Sequence, residues 1–255
     1  MLAWLSQWRK RRALRRHAIS EALWAEVLAA YPFIARRPAA VRNELRTLCS
    51  LFLSRKQFFG AGGLALNDFM VCAVAAQACL PILRLGLGVY EGQVGIVVHP
   101  HEVRARRVEQ DPHGLVHEWD EELSGEAMAG GPLMLCWTAA ARPDDPTQPV
   151  FNVVIHEFVH VLDLGNGESD GLPRIENKDL RRRWVHQLPR AWDRLANRIA
   201  HAEPSCMDPY GTEALDEFFA VASEAFFVDP EALNAEDAEL YGLLRDYFQQ
   251  DPATA

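Results

Sequence analysis

Residues 152–160 read NVVIHEFVH, and this apolar stretch contains the pattern H-E-x-x-H. Apolar residues continue on both sides of it, which predicts one helix over residues 151–164. In that helix His156 and His160 lie one turn apart on the same face, where their ring nitrogens can bind one tetrahedral Zn²⁺ at about 2.1 Å. Glu157 follows the first histidine and can reach the water molecule that the metal activates. The stretch therefore indicates a zinc site in which Glu157 acts as general base.

The pattern is rare enough to be informative. A chain of 255 residues with nine histidines and 20 glutamates contains H-E-x-x-H by chance roughly 0.02 times. The alternative interpretation is a pair of ordinary core histidines that happen to flank a glutamate.

A catalytic zinc needs a third protein ligand. Asp163 lies too close to His160 along the helix to complete a tetrahedron, and is better placed to accept a hydrogen bond from an imidazole. Downstream, Glu217 and Glu224 lie two turns apart on one largely apolar face of a predicted helix over residues 213–228. Buried carboxylates need partners, so we expect one to bind the metal and the other to bind a ligand imidazole. Two ordinary ion-paired glutamates are the alternative.

Several separated segments resemble the Mlc titration factor A family, bacterial zinc metallopeptidases of the glucose-regulated type. They occur in the family's order and read LPILRLGL (80–87), HEFVHVLDLGNG (156–167), GLP (171–173), DPYGTEALDEFFAVASEAFF (208–227) and DYFQQDP (246–252). The resemblance implies that His156, His160 and Glu217 bind the zinc and that Glu157 is the catalytic base. The chain departs from the family at Val161, where the family often has a lysine, and matches it poorly over the first hundred residues.

The segment YGTEALDEFFA (210–220) is also similar to the peptidase domain of anthrax lethal factor. In that domain a tyrosine seven residues before the third glutamate ligand assists catalysis. The similarity implies that Tyr210 donates a hydrogen bond to the tetrahedral oxyanion. Thr212 is expected to cap the glutamate helix, and the absent side chain of Gly211 is expected to let the backbone bend before it. A tyrosine that only packs at a helix entry is the alternative.

Composition excludes several other classes of protein. The chain is 49% hydrophobic with a net charge of −9, which argues against general disorder and against direct nucleic-acid binding. The longest apolar stretch, about 15 residues, is too short for a membrane span of roughly 20. Five cysteines without a C-x-x-C pattern indicate buried thiols in a reducing compartment. We therefore expect a cytoplasmic protein.

Charge is unevenly distributed along the chain. Residues 1–18 form a basic N-terminal segment with Trp4 and Trp8, either an interfacial amphipathic helix or a solvated first helix. Its apolar residues precede its charges, which is the wrong order for a secretory signal. Residues 19–255 are expected to form a single zincin-like peptidase domain.

The coarse pattern predicts an α+β fold, mainly helical with a small sheet. Strands are predicted over Gln93–His99 and Pro132–Trp137, and a helix through Leu80 begins at Asn67 or Asp68. The segment Leu133–Trp137 could be an edge strand that pairs with an extended peptide. A last helix is predicted to begin with Asp229 as its N-cap and to continue to Phe248.

A second histidine cluster includes His99, His101, His113 and His117. His113 and His117 are four residues apart, but Pro112 and Gly114 disfavour a helix there. A loop near the active-site mouth is the favoured interpretation over a second metal site.

The sequence thus predicts a peptidase with one zinc per chain that acts on a peptide or protein substrate. Both endopeptidase and aminopeptidase action are compatible with it. The alternative is a zinc-stabilised regulatory protein that sequesters a transcriptional repressor of sugar uptake genes, as the family name implies. An intact Glu157 favours the enzyme, because a purely structural zinc site needs no base.

Overall fold

A computed structural model describes residues 12, 14–93, 95–110, 116–127, 131–142 and 147–254. Most of the predicted basic segment 1–18 lies outside these residues, as does His113. The proposed boundary between residues 18 and 19 stays a prediction.

The described part of the chain is mainly helical, in agreement with the predicted class. Its α-helices are α1 Glu21–Ala30, α2 Pro32–Ala35, α3 Ala39–Leu53, α4 Asp68–Cys79, α5 Trp137–Ala140, α6 Val153–Asp163, α7 Lys178–Ala200, α8 Leu215–Val228, α9 Pro230–Glu236 and α10 Ala238–Phe248. Short 3₁₀ helices cover Leu87–Tyr90, Leu164–Asn166, Pro209–Thr212 and Pro252–Thr254.

The described residues also form a four-stranded mixed sheet. Its strands are β1 Gln57–Gly60, β2 Gly95–His99, β5 Gly125–Ala127 and β6 Leu133–Cys136, in the order β1-β2-β6-β5. Strands β1, β2 and β6 are parallel, and β5 is antiparallel to β6. A separate antiparallel hairpin comprises β3 Val103–Gln110 and β4 Val116–Leu123.

The sheet order corrects one expectation. The predicted strand at Leu133–Trp137 exists as β6, but it pairs with β2 on one side and with β5 on the other. It is therefore an interior strand, and the end strand on this side of the sheet is β5. No pattern marked β5, because a three-residue strand is too short to show alternation.

Asparagine and aspartate side chains set the start of several helices. Asn67 accepts a hydrogen bond from the backbone N–H of Met70 at the start of α4, and Asp229 caps α9 ahead of Pro230, as predicted. The last helix is not continuous, however. Asp237 ends α9 and caps α10, since its side chain accepts a hydrogen bond from the N–H of Leu240.

Most residues of α4, α6 and α8 are buried in the core. All residues of α8 from Phe218 to Val228 are buried, and Phe158 of α6 is fully buried. Helix α6 packs against α8 and against β5 and β6. This packing brings the helix with H-E-x-x-H, the helix with the two glutamates and the end of the sheet to one place.

Two further observations concern the environment of the chain. No described helix has both the length and the apolar character needed to cross a bilayer. The five cysteines are free thiols, four of them buried and Cys206 partly buried, so four of the five match the predicted buried thiols.

Candidate metal centre

The two histidines lie on α6, a helix whose other residues are mostly buried. The side chain of Asn152 caps the helix, since its Oδ1 accepts a hydrogen bond from the backbone N–H of Ile155 at 2.9 Å. Most other residues of α6 pack into the core, including Val154, Phe158 and Val159. The histidine face is turned toward α8.

Three potential ligand atoms meet on that face. Nε2 of His156 lies 3.1 Å from Nε2 of His160. Oε2 of Glu217, on α8, lies 3.0 Å from the first nitrogen and 3.4 Å from the second. The structure thus brings together the three residues expected to hold the metal, and among the described residues they form the one cluster of this kind.

The donor set and its spacing fit a zinc ion. Two imidazoles and one carboxylate are the protein ligands of one class of catalytic zinc site, and tetrahedral bonds of about 2.1 Å place ligand atoms roughly 3.4 Å apart. Oε2 of Glu217 is buried and lacks a hydrogen bond of acceptable geometry. A buried carboxylate oxygen without a hydrogen bond, facing two ring nitrogens, is suited to binding a cation.

The lowered pKa of Glu217 also supports binding of a cation. Burial by itself raises the pKa of this carboxyl group, but the facing imidazoles of His156 and His160 outweigh burial and lower the pKa from 4.5 to about 2. Glu217 is therefore ionised, as a metal ligand must be.

Glu224 fixes the orientation of the His156 ring. Its Oε1 lies 2.7 Å from Nδ1 of His156, and its Oε2 accepts a hydrogen bond from the backbone N–H of Asn152. The side chain is 2% exposed. A carboxylate on Nδ1 leaves Nε2 of the same ring directed at the cluster, which is the usual arrangement behind a metal-binding histidine. The expected contact between one glutamate and a ligand imidazole is thus present at Glu224.

Glu157 lies beside the ligands but points at the sheet. Its side chain packs against Gly125 of β5 and is almost fully buried. Burial is the main cause that raises the pKa of Glu157, from 4.5 to about 7, although the two imidazoles oppose the rise. A carboxylate with such a pKa is suited to accept and return a proton near neutral pH.

Asp163 has a different partner from the one expected. Its Oδ2 accepts a hydrogen bond from the backbone N–H of Gly171 at 2.9 Å, and Ser169 Oγ lies 3.4 Å away. Neither described hydrogen bond of Asp163 involves an imidazole. Asp163 instead anchors the segment that follows α6, and Trp184 holds the same segment by donating to the carbonyl of Gly171. Sequence spacing missed this role because residue 171 approaches only through the tertiary fold.

Tyr210 lies close to the cluster on the 3₁₀ helix before α8. Its ring centroid is 6.1 Å from that of His156, and its side chain is 42% exposed. The carboxylate of Asp208 accepts a hydrogen bond from the N–H of Tyr210 at 2.9 Å. Thr212 does not cap α8, since its hydroxyl donates to the carbonyl of Pro209 and the N-cap of α8 is Ala214.

Gly211 has a packing role rather than a conformational one. A Cβ atom on this residue would lie 3.2 Å from a carbon of Val221 and 3.4 Å from one of Leu195. Its missing side chain therefore lets the 3₁₀ helix approach α8 closely.

A pocket of about 210 Å³ adjoins the cluster. Apolar walls come from Phe151, Val153 and Val221, while Asp208 and Tyr210 line it with polar groups. His156, Glu157 and Glu224 line it as well, together with Ser124 and Gly125. The pocket is large enough for one side chain of a bound molecule beside His156, the one proposed ligand that lines it.

Of the residues that support this site, some could be recognised from the sequence and others could not. Gly125 could not be recognised, because nothing near it in the chain indicates that residue 157 will pack on it. Gln77 was visible as a polar interruption of an apolar helix, and it binds the side chain of Asn152. The second metal site considered for the other histidines is not tested, since His113 lies outside the described residues.

The comparisons with known proteins agree with the observed geometry. The family model described as glucose-regulated metallo-peptidase M90 matches residues 5–249. An uncharacterized protein of Synechocystis sp. is 32% identical over 251 residues, which cover 98% of this chain and 90% of that protein.

Two further relatives are named Mlc titration factor A. The protein of Pectobacterium atrosepticum is 33% identical over 224 residues, 87% of this chain and 83% of its own length. The protein of Yersinia pestis is 32% identical over 255 residues, 99% of this chain and 91% of its own. The resemblance found in the sequence segments is thereby confirmed, and the chain belongs to the glucose-regulated metallo-peptidase M90 family.

Proposed function

We propose that this protein is a zinc-dependent peptidase whose metal is held by His156, His160 and Glu217. The observation that supports it most directly is that these three ligand atoms lie together beside the buried carboxylate of Glu157. A structural zinc site closes all four positions with protein ligands, whereas three ligands and an adjacent base are typical of hydrolytic sites.

Each residue of the site has a distinct role in the proposed reaction. A zinc ion bound there supplies Lewis-acid chemistry, polarising the scissile carbonyl and activating a water molecule. Glu157 accepts a proton from the attacking water as the water oxygen bonds to the carbonyl carbon, and it delivers that proton to the amine nitrogen as the C–N bond breaks. Tyr210 donates a hydrogen bond to the oxyanion of the tetrahedral intermediate from the exposed side of the site. Glu224 holds the His156 ring throughout.

Strand β5 supports a peptide as the substrate. It lies at the end of the sheet, and Gly125 brings its backbone directly against Glu157. An extended peptide can add to such an edge as a further strand, which places one of its carbonyl groups beside the base. We propose β5 for this role in place of Leu133–Trp137, which is interior.

The adjoining pocket supports a preference for the substrate side chain. Its apolar walls, Phe151, Val153 and Val221, favour an aliphatic side chain of moderate size. The carboxylate of Asp208 in the same pocket favours a neutral or basic side chain over an acidic one.

A second candidate function rests on the names of two relatives. Proteins named Mlc titration factor A match this chain over most of its length. We propose sequestration of a transcriptional repressor as an additional or alternative activity, in the cytoplasm, where such a repressor acts. In that case the bound zinc would stabilise the fold without a need for hydrolysis.

Metal content together with peptide hydrolysis tests the proposal. The purified chain should contain one zinc, and it should cleave members of a peptide library that includes both blocked and free N-termini. Glu157→Gln should retain the zinc and the fold but lose about 10²–10⁴-fold or more in turnover. Hydrolysis by the variant at the wild-type rate would contradict the assignment of the base, and a zinc-loaded wild type without activity would favour sequestration.

A further inference from the structure

Gln77 is a fully buried polar side chain in the last turn of α4. Its neighbours in the helix are small or apolar, and it is the one polar residue among the buried residues of α4. A buried amide destabilises the fold unless its hydrogen bonds are satisfied. Gln77 has two partners: its Nε2 donates to the carbonyl of Ala73 at 3.3 Å, and its Oε1 accepts from Nδ2 of Asn152 at 2.7 Å.

Asn152 joins three elements of the fold. Its Oδ1 caps α6 by accepting from the N–H of Ile155, its Nδ2 donates to Gln77 on α4, and its backbone N–H donates to Glu224 on α8. The same carboxylate holds Nδ1 of His156 through its other oxygen, at 2.7 Å. A continuous path of hydrogen bonds therefore runs from the core of α4 to a ring of the metal cluster.

Backbone groups determine the orientation of both amides. Because the oxygen of Asn152 accepts from a backbone N–H, its NH₂ group must face Gln77. Because the NH₂ group of Gln77 donates to a backbone carbonyl, its oxygen must face Asn152. An aliphatic side chain at either position, or an aspartate at residue 152, would lose this link, and a glutamate at residue 77 would keep the acceptor but place a carboxylate oxygen against the carbonyl of Ala73.

We propose that Gln77 and Asn152 are positioning residues of the metal centre, which act through Glu224 on the ring of His156. This inference rests on the proposed zinc site. Gln77 fixes the side chain of Asn152, and Asn152 in turn fixes the start of α6 and one oxygen of Glu224. Restraining Glu224 limits rotation of the His156 ring, so that Nε2 is aligned with the other two ligand atoms before the metal binds.

Zinc affinity of the full-length chain, measured by competition with a chelating dye, tests the positioning role without reference to peptide hydrolysis. Gln77→Met has a similar volume but cannot accept the hydrogen bond in the same geometry, and we expect it to weaken zinc binding about 10-fold. Asn152→Ser keeps a capping oxygen for α6 but removes the amide donor, and should weaken binding to a similar extent. It provides an independent variant if Gln77→Met folds poorly.

Ser223→Ala is the matched control. Ser223 is as buried as Gln77 and adjacent to Glu224, but its hydroxyl donates to the carbonyl of Phe219 within its own helix. Its loss should lower stability and leave zinc affinity within about twofold of wild type. A drop in zinc affinity as large as that of Gln77→Met would show a general effect of disturbing the core and would overturn the proposal.

A double-mutant cycle with Glu224→Gln separates positioning from indirect destabilisation. If Gln77 acts through Glu224, the 10-fold effect of Gln77→Met should fall to about twofold or less in the Glu224→Gln background. An undiminished effect in that background, or wild-type zinc affinity in Gln77→Met itself, would overturn the proposal. A wild-type chain that binds no zinc would instead contradict the proposed metal centre, so the two failures are distinguishable.

Discussion

The side chain of Glu157 occupies the space that a Cβ atom on residue 125 would need. Such an atom would lie 2.5 Å from both Cγ and Oε1 of Glu157, well inside van der Waals contact. Glycine at position 125 therefore lets the proposed general base lie between α6 and the backbone of β5.

Gly125→Ala should displace Glu157 while leaving the three ligand atoms in place. We expect turnover to fall by about 10²-fold, since a shift of roughly 1 Å in a catalytic group has effects of that size. Zinc content and zinc affinity should stay near wild type, because Glu157 is not a ligand. Steady-state kinetics and elemental analysis provide the two measurements.

Gly242→Ala is the control for the glycine substitution. Gly242 lies within α10 and has open space around the position of a Cβ atom. This variant should be fully active and slightly more stable, by about 0.5–1 kcal/mol. Wild-type turnover in Gly125→Ala would show that Glu157 either tolerates displacement or is not the base.

The two glutamates of α8 should differ sharply in their effect on metal binding. Glu217→Ala removes a proposed ligand and should leave little zinc bound after dialysis. Glu224→Gln retains the shape of the side chain but replaces one of its two acceptor oxygens by an NH₂ group and loses the charge that faces His156. It should weaken zinc affinity by about 10–100-fold. Isothermal titration of the metal-free chain with zinc gives both values. A larger loss in Glu224→Gln than in Glu217→Ala would mean that the ligand lies on the other turn of the helix.

Tyr210→Phe tests the proposed hydrogen bond to the oxyanion. The substitution keeps the ring beside His156 and deletes only the hydroxyl group. We expect kcat to fall by about 10²–10³-fold with KM little changed, as for removal of one oxyanion donor. The matched control is Tyr241→Phe, which deletes a hydroxyl bonded to Asp251 and to the backbone of Ala253, away from the site. A loss of only a few-fold in Tyr210→Phe would identify Tyr210 as a packing residue.

Asp163 should make the stability of the metal-free chain depend on pH. Burial is the main cause that raises its pKa from 3.8 to about 6, and the N–H of Gly171 opposes the rise. The folded state therefore binds the proton more tightly than the unfolded state. The stabilising contribution is complete below about pH 4 and is lost as the pH rises through about 6, by about 3 kcal/mol at most.

Asp163→Asn cannot ionise and should remove this dependence. The free energy of unfolding of the wild type, relative to that of the variant, should thus decrease between pH 4 and pH 7. Urea denaturation of both proteins in the presence of a chelator measures the difference. A difference that stays constant over this range, or that grows with pH, would contradict the expected direction.

Local patterns predicted much of the site because its chemistry lies in short segments. The spacing of His156 and His160 places both rings on one helix face whatever the rest of the chain does. The seven-residue spacing of Glu217 and Glu224 places both carboxylates on one face of α8 for the same reason. Two acids on an apolar helix also indicate partners, since burial without partners would destabilise the fold.

Other features required contacts between residues far apart in the chain. Asp163 binds Gly171, Glu157 packs on Gly125, and Gln77 meets Asn152 only after α4 and α6 have packed together. The interior position of β6 depends on β5, a strand too short to be recognised by its pattern. Periodicity reports which face of an element is buried, and it carries no information about the element that covers that face.

The sequence by itself therefore determined the two histidines and the base as candidates, since those depend on residue type and on helical spacing within one segment, and it limited the third ligand to the glutamates of α8, of which the family resemblance favoured Glu217. Only the tertiary structure decided which oxygen faces which nitrogen, which strand lies at the end of the sheet, and which buried polar groups support the histidine ring. The physical reason is that helix geometry is a local property of the backbone. The convergence of α4, α6, α8 and β5 results from burial of their apolar surfaces in one shared core.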